Sequence, residues 1–486
     1  MRNLLTIFGR KKPLEYNPIS DTDSYKLSHW NQYPPGITRM MSYLEARGGE
    51  YDSCTLFGLQ YLIHKYVATK WTRKHVKKLE AFAKLHGEPF NYDGCMKIVK
   101  KYKGHPPIRI RAIPEGLVCP VLTPLLTIES TVDDEDVFWV CSFLETMLVR
   151  LWYPSTIATT SRESKKILAH YLEMSSDDPS EIVFKLHDFG ARGVATYEQA
   201  QLGGAAHLLS FMGSDTISGI ELANYYYDIE MAGFSIPATE HSTMSMWGRE
   251  HELDAYKHYV KKYLTERQVP PGIPKLAACV SDTFNVYEAC KMWTSPELFP
   301  AIEASGGTLV IRPDSGDPLE VLPKIFAILE EQLGDRVTEN KKGYKLLPPC
   351  IRIIQGDGIT QKSMKKILEL LVGKLKWSAS NIAFGSGGGL LQMVNRDTQK
   401  WAFKCCFALR DGVSINVQKD PITDPGKKSK AGRVDTVRLP DGTIGWAVID
   451  DYHTIALPNS VMVTYYEDGF ILYHTTYDEC RARMAL

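Results

Sequence analysis

The sequence predicts an α/β protein with an irregular (β/α) barrel and a second α+β domain built from the N- and C-terminal segments. Between about residues 180 and 390, short apolar runs recur, and each ends in polar or glycine residues before a helical stretch. Strands that alternate with helices form parallel sheets. An open doubly wound sheet is the alternative, but a barrel with its site at the carboxyl ends of the strands better explains so many polar strand ends.

The segments on either side of this region have a different residue pattern. Alternating apolar residues between prolines at 108–130 predict a strand meander, and the chain after about residue 403 is β-rich. The apolar run 137–154 predicts a long buried helix that Pro154 ends. We therefore expect an N-terminal leader at 1–20, a (β/α) barrel-like catalytic domain at 161–399, and an α+β domain. This last domain joins 21–160 to a β-rich segment at 400–486.

Charge and composition narrow the class of protein. The 486 residues carry 57 Lys and Arg against 57 Asp and Glu, so the chain lacks the excess basic charge expected for nucleic-acid or anionic-membrane binding. Ten cysteines at irregular spacing predict a reducing compartment, and no apolar run is long enough for a transmembrane helix. A cytoplasmic enzyme is the expectation.

Glycine and acidic residues close several of the predicted strands. The stretch "FGSGGGLLQ" (384–392) places Gly387 and Gly388 between a strand and a helix, which favours a phosphate-binding turn over a purely structural one. "IRPDSGDP" (311–318) supplies Arg312 and Asp314, either as a clamp for phosphate and sugar or as an ordinary turn.

Further carboxylates follow other strands, at Asp215, Asp282 and, in "QGDG", Asp357 beside Gly356. Such a set suits a substrate with a sugar, phosphates and a divalent cation. It suits zinc less well, because histidines at metal-ligand spacing are absent from the sequence.

Two stretches can hold a flat ring or more phosphate. "KLHDFGARG" (185–193) pairs Phe189 with Arg192, which could stack on and hydrogen-bond a heterocycle, although a core ring beside a surface arginine is the commoner reading. Arg396 and Lys404 form either a phosphate clamp or a solvated basic face.

Ten stretches in register, from "TDSYK" (22–26) through "PATEHST" (237–243) to "INVQKDP" (415–421), resemble the nicotinamide phosphoribosyltransferase family, of the type II phosphoribosyltransferase kind. The resemblance runs from about residue 21 to 475. It implies transfer of a 5-phosphoribosyl group from phosphoribosyl pyrophosphate to nicotinamide, giving the mononucleotide and pyrophosphate in NAD salvage. It also implies Mg²⁺ carried mainly by substrate phosphates, ATP as a coupled co-substrate, and a homodimer with active sites at the subunit interface.

The resemblance assigns roles to individual positions. Nicotinamide would lie between Phe189 and Tyr25 of a partner subunit, with Arg192, Asp215 and Arg312 around it. The phosphoribosyl and phosphate groups would contact a larger set: Arg312, Asp314, Gly356, Asp357, Gly387, Gly388, Arg396, Lys404 and Lys427. One departure stands out, since Ala402 occupies a position where the family usually has serine, so that a hydroxyl donor to phosphate is missing there.

The resemblance makes His241, Asp282 and Asp314 the catalytic group, with His241 transiently phosphorylated by ATP. A helix that begins at His241 would stabilise the anionic phosphohistidine, and we expect Asp282 to orient the ring through its other nitrogen. Alternatives are a nicotinate phosphoribosyltransferase, a metal-dependent barrel hydrolase using His187 and His241, and a non-catalytic binding protein. Asp215 argues against the first, because a carboxylate accepts from an amide but repels nicotinate.

Overall fold

A computed structural model of the chain describes residues 14–270, 272–423 and 427–485. Most of the predicted leader, residues 1–13, lies outside the described residues. The rest of it packs against the protein: Ile19 is completely buried, and the Asn17 side chain donates to the carbonyl of His75 at 3.1 Å.

The described residues contain nineteen strands in chain order. They are β1 (Ile37–Ala46), β2 (Ser53–Thr55), β3 (Ile108–Ala112), β4 (Val118–Pro120), β5 (Pro124–Ser130), β6 (Leu186–Asp188), β7 (Gly213–Ser214), β8 (Leu276–Val280), β9 (Thr308–Arg312), β10 (Thr338–Glu339), β11 (Lys345–Leu346), β12 (Ile351–Gln355), β13 (Ile382–Ser386), β14 (Trp401–Arg410), β15 (Val413–Asn416), β16 (Val434–Arg438), β17 (Ile444–Val448), β18 (Val463–Glu467) and β19 (Phe470–Ile471).

Sixteen α-helices accompany these strands in the described part of the chain. They are α1 (Leu59–Leu62), α2 (Arg73–His86), α3 (Tyr92–Lys101), α4 (Val140–Phe143), α5 (Glu145–Val149), α6 (Trp152–Ser175), α7 (Tyr197–His207), α8 (Ile217–Tyr227), α9 (His241–Ser245), α10 (Glu252–Val260), α11 (Val286–Trp293), α12 (Phe299–Ala304), α13 (Pro318–Leu333), α14 (Gln361–Leu368), α15 (Gly388–Leu391) and α16 (Tyr477–Met484).

The helix prediction at 137–154 was wrong. The segment forms two short helices, α4 and α5, and Pro154 lies in the first turn of α6 instead of ending a helix. Proline is tolerated there because the first amides of a helix have no carbonyl partner within the helix. The predicted domain boundary at 160/161 falls inside this 24-residue helix, which therefore runs continuously across it.

A six-stranded parallel sheet carries the strands with polar ends, in the order β7-β6-β13-β12-β9-β8. The segment 234–238 connects its two edges, since Phe234 bridges Gly213 of β7 and Ala238 bridges Ala278 of β8. The sheet thus curls into an irregular barrel, which confirms the predicted α/β class. All carboxyl ends of its strands face the same way.

A seven-stranded antiparallel sheet has the order β15-β14-β1-β5-β3-β18-β19. Its strands come from the N-terminal and C-terminal parts of the chain, and β1 pairs with β14 along its length, for example Tyr43 with Lys404. The expected second α+β unit, assembled from both terminal segments, is therefore present beside the barrel.

The barrel interior is filled by small and branched side chains, with Ala278, Val310 and Ile354 buried against the half-buried ring of Phe189 and neighbouring aliphatic side chains. A larger apolar layer packs the outside of the sheet against its helices, including the fully buried Trp293 and Phe384. Among the described residues, no helix combines the length and apolar character needed to cross a membrane.

Candidate active site

A cavity of about 940 Å³ opens at the carboxyl ends of the parallel strands. Ten of the residues predicted from the sequence line it: Phe189, Arg192, Asp215, His241, Arg312, Asp314, Gly356, Asp357, Gly387 and Gly388. They come together because parallel strands deliver their carboxyl ends to the same edge of the sheet. The structure places these residues, while their individual roles stay predictions.

The residues expected to contact a flat base lie after β6 and β7. The amide of Phe189 donates to the carbonyl of Ser386 at 2.9 Å. This bond extends the pairing of β6 with β13 and fixes the backbone position from which the Phe189 side chain projects. Asp215 follows β7, and its Oδ1 accepts a hydrogen bond from the Ser235 hydroxyl. One end of the cavity therefore combines an aromatic ring with a held carboxylate, which can accept from an amide N–H.

Asp188 shapes this end of the cavity but was not singled out from the sequence. It is completely buried, its Oδ1 accepts from the Gly190 amide at 2.7 Å, and its Oδ2 accepts from the Ser214 hydroxyl at 3.4 Å. Burial raises the pKa of Asp188 to about 6. The sequence "HDFG" could have indicated this role, since an aspartate often accepts a hydrogen bond from the backbone amide two residues later and so closes a turn.

We predict that Asp188→Asn stabilises the protein above pH 6. When folding raises the pKa of a carboxyl group, the free energy of unfolding falls as the pH increases from the pKa of the unfolded state to that of the folded state. The shift from 3.8 to about 6 corresponds to roughly 3 kcal/mol at full ionisation. Asparagine keeps the acceptor for Gly190 without the buried charge.

Urea-unfolding midpoints at pH 5, 6 and 8 test this expectation. The advantage of Asp188→Asn should grow between pH 5 and pH 7 and then level off, whereas Asp335→Asn, an exposed acid, should follow the wild type throughout. A variant that is less stable than the wild type at pH 8 would contradict it.

The other end of the cavity carries the groups expected to hold sugar and phosphate. Arg312 ends β9, its side chain is 16% exposed, and its Nη2 lies 3.7 Å from Asp314 Oδ2. Its Nε is buried and has no hydrogen-bond partner in the described structure. A buried donor without a partner is costly, so an acceptor on a bound ligand is its natural complement.

Glycine turns complete this end. Gly356 and Asp357 follow β12, whereas Gly387 separates β13 from α15, which begins at Gly388. A Cβ placed at Gly356 would lie 3.3 Å from Asp314 Oδ1, so the turn after β12 lies close to the turn after β9. Gly387, Gly388 and Gly389 all line the cavity, and the backbone amides of such a turn suit an anion.

His241 lies beside the cavity because the preceding residues run along β8. The amide of Thr239 donates to the Ala278 carbonyl at 3.1 Å, and its hydroxyl accepts from the Val280 amide at 2.8 Å. His241 Nε2 lies 2.9 Å from Asp282 Oδ1, and the Asp282 side chain is only 5% exposed. Within the described residues, no protein group hydrogen-bonds to Nδ1 of this ring.

The helix at His241 differs in extent from the one expected. It does begin at His241, but it has only five residues and is followed by Gly248 at φ +83°. A helix this short has few aligned peptide dipoles, so its end contributes less positive potential than a long helix would. The contact with Asp282 is the stronger local feature of the ring.

Five predicted site residues do not line this cavity, and one of them, Asp282, lies against His241. Tyr25 is 55% exposed in the turn Ser24–Leu27 and packs edge-on against His29. Arg396 lies in the loop before β14, and Lys404 lies on β14. Lys427 directly follows the undescribed residues 424–426 and is not among the cavity-lining residues.

Lys404 belongs to a basic cluster that the sequence analysis only partly recognised. Burial, together with the positive charges of Arg47, Lys419 and Arg396, lowers the pKa of Lys404. Arg47 bonds to Glu45 through Nε at 2.8 Å, while its Nη2 is buried without a partner in the described structure. Arg47 lies more than 340 residues from Arg396 and became a neighbour only through the pairing of β1 with β14.

A resident metal finds little support in the side chains. The described residues include no group of three or more His, Cys, Asp or Glu side chains that could hold a metal ion. Asp314 and Asp357 line the cavity as separate carboxylates. This donor set fits Mg²⁺ that keeps most of its ligands from phosphates and water, because Mg²⁺ often uses only one or two protein carboxylates.

Comparison with protein-family models gives two matches. Residues 184–453 match the nicotinate phosphoribosyltransferase (NAPRTase) family, and residues 17–110 match the nicotinamide phosphoribosyltransferase N-terminal domain. The first match covers the parallel strands and the cavity, and the second covers the first part of the antiparallel sheet.

Curated relatives and solved structures agree with these matches. A nicotinamide phosphoribosyltransferase of Xanthomonas campestris pv. campestris is 46% identical over 96% of this chain and 97% of its own length. One from Mycoplasma genitalium is 30% identical over 86% of this chain and 95% of its own length.

Two crystal structures share the fold at 15% identity. Nicotinate-nucleotide pyrophosphorylase from Pyrococcus furiosus has a TM-score of 0.58, with 98% of this chain and 97% of that chain covered. Human nicotinic acid phosphoribosyltransferase has a TM-score of 0.53, with 95% and 92% covered. Matched along nearly its whole length, the chain belongs to the nicotinamide phosphoribosyltransferases of the NAPRTase family.

Proposed function

We propose that this protein transfers the 5-phosphoribosyl group of phosphoribosyl pyrophosphate to nicotinamide, forming nicotinamide mononucleotide and pyrophosphate for NAD salvage. The observation that carries the proposal is one cavity that brings together two chemically different sets of groups. Phe189 and Asp215 suit the base, while Arg312, Asp357 and the glycine turn after β13 suit a phosphorylated sugar. The named relatives support the same reaction.

The reaction needs positioning more than proton transfer. The pyridine nitrogen of nicotinamide carries no proton, so it attacks the anomeric carbon directly while the bond to pyrophosphate breaks. The transition state resembles an oxocarbenium ion, and the leaving pyrophosphate gains negative charge. Arg312 and the backbone amides of the glycine turn, which line the cavity, would neutralise that charge, and the ring of Phe189 would hold the base in line.

Asp215 supports nicotinamide over nicotinate. Its Oδ1 is already occupied by the Ser235 hydroxyl, which leaves Oδ2 to accept from the carboxamide N–H₂. Nicotinate would place a second carboxylate against it, and such like-charge contacts cost several kcal/mol. The NAPRTase family match makes nicotinate phosphoribosyltransferase the second candidate, and the ratio of kcat/KM for the two bases separates them.

A homodimer would bring the remaining residues to the site. Tyr25, Arg396 and Lys404 are absent from the lining of this chain's own cavity. We propose that a second copy supplies them, Tyr25 as the second face of the base slot and the two cations as phosphate clamps. The basic cluster around Lys404, including Arg47, would then face the phosphates, and it would offset the hydroxyl that Ala402 lacks.

ATP would act through His241. Because Nε2 lies against Asp282, the tautomer with its proton on Nε2 leaves a lone pair on Nδ1. Attack of Nδ1 on the γ-phosphorus breaks the bond to the bridging oxygen, releases ADP and forms a phosphohistidine. Water later hydrolyses that N–P bond to phosphate and restores the imidazole.

Replacing His241 with alanine should abolish this phosphoenzyme. Incubation with γ-labelled ATP and Mg²⁺ should leave an acid-labile, base-stable label on the wild type and none on His241→Ala. Stimulation of turnover by ATP should disappear, while nicotinamide still binds. His251→Ala is the matched control, because that exposed histidine pairs with Asp254 and lies outside the cavity lining. Equal labelling of His241→Ala and wild type would contradict this role.

Mg²⁺ would be bound mainly through substrate phosphates, and we propose a cytoplasmic enzyme without nucleic-acid or membrane partners. A metal-dependent hydrolase has less support. His241 lies against Asp282, and His187 Nε2 lies 3.1 Å from the Phe184 carbonyl, so each ring already has a protein partner. Tightly held zinc in stoichiometric amount, found by elemental analysis, would favour the hydrolase.

A further inference from the structure

Gly385 lies directly beneath the ring of Phe189. A Cβ built at Gly385 would be 1.9 Å from Cε2 of that ring, 2.4 Å from Cδ2 and 2.7 Å from Cζ. Three ring atoms inside 3 Å mean that the ring covers the backbone of β13 at this position. Any residue other than glycine would place its Cβ in the space that the ring occupies, so the ring would have to move.

A glycine after the neighbouring strand, β12, also contacts the Phe189 ring. Gln355 pairs with Phe384 in the register of β12 and β13, so Gly356 lies next to Gly385. A Cβ at Gly356 would be 3.6 Å from Phe189 Cε2, an ordinary contact distance. The ring thus rests against two glycines, and Phe189 also lines the cavity.

The backbone does not explain the glycine at 385. Gly385 lies within a regular strand and has no positive φ, so any residue could adopt its conformation. Glycine inside a strand weakens the strand and often marks a close approach of another group. Here the approaching group is the aromatic ring that faces the base.

We infer that Gly385 is a positioning residue that sets the depth of the base slot by allowing the Phe189 ring to lie against the backbone of β13. The inference rests on the proposed function. With a methyl group at 385, restoring a 3.4 Å contact requires the ring to move by about 1.5 Å, into the space for the base. Misplacement of about 1 Å at a reacting geometry can cost on the order of 10²-fold in rate.

Gly385→Ala tests the inference by the split between substrates. We expect KM for nicotinamide to rise at least about tenfold and KM for phosphoribosyl pyrophosphate to change less than about twofold, since the phosphate groups keep their places. Gly373→Ala is the matched control, because that exposed glycine has no neighbour within 4 Å of an added Cβ. Unchanged nicotinamide KM in Gly385→Ala would overturn the inference.

A double-mutant cycle with Phe189→Ala separates the ring from general damage to the strand. If the glycine acts through the ring, Gly385→Ala should have little further effect once Phe189 is alanine, and any folding defect of the single variant should be relieved. An equal effect in both backgrounds, or no relief, would overturn the inference. Failure of the wild type to convert nicotinamide would instead reject the proposed function.

Discussion

Arg312→Lys should lower kcat/KM for nicotinamide by about 10²- to 10³-fold. Lysine keeps one positive charge but loses the planar fork and the Nε–H group. In the structure that Nε is buried without a protein partner, and the guanidinium is mostly covered beside Asp314. A donor held in this way is already oriented toward the ligand. It therefore stabilises the transition state more strongly than an exposed, mobile cation would.

Steady-state kinetics with both substrates varied checks this result. Arg73→Lys, an exposed arginine at the start of α2, should match the wild type. A loss of less than about threefold in Arg312→Lys would contradict the expectation, because it would mean that point charge alone suffices at this position.

Asp215→Asn should reduce the preference for nicotinamide over nicotinate by about 100-fold or more. The substitution removes the negative charge that repels the nicotinate carboxylate, and such like-charge contacts cost several kcal/mol. The asparagine amide can also donate to that carboxylate, whereas the wild-type carboxylate cannot. Part of the change should appear as new activity on nicotinate, which distinguishes altered selectivity from simple loss.

The measurement is kcat/KM for both bases with the wild type and the variant. Asp335→Asn serves as the control, since this exposed acid is not among the residues that line the cavity. If both activities fall in parallel and the ratio stays unchanged, Asp215 does not select the base.

Much of the barrel and its site could be predicted because the information is local. A short apolar run followed by Asp or Gly identifies both a strand and the residues at its carboxyl end, as with Arg312 and Asp357. Parallel strands then bring these ends together without any knowledge of their order. Asp282 could be suggested for His241 on the same grounds, although 41 residues separate them.

The rest depended on register and packing between distant segments. The bond from Ser235 to Asp215 follows from the segment that closes the barrel, and the contact of Gly385 with Phe189 follows from the alignment of β6 with β13. Neither leaves a periodic signal in the sequence. The helix prediction for 137–154 was wrong because a proline breaks the interior of a helix but is accommodated in its first turn, where Pro154 lies.

The most direct test of the central claim is to identify the product by mass spectrometry. Purified protein is incubated with nicotinamide, phosphoribosyl pyrophosphate and Mg²⁺, with and without ATP. We expect nicotinamide mononucleotide with an equal amount of pyrophosphate, and more product when ATP is present. Absence of the mononucleotide under both conditions, from folded protein, would contradict it.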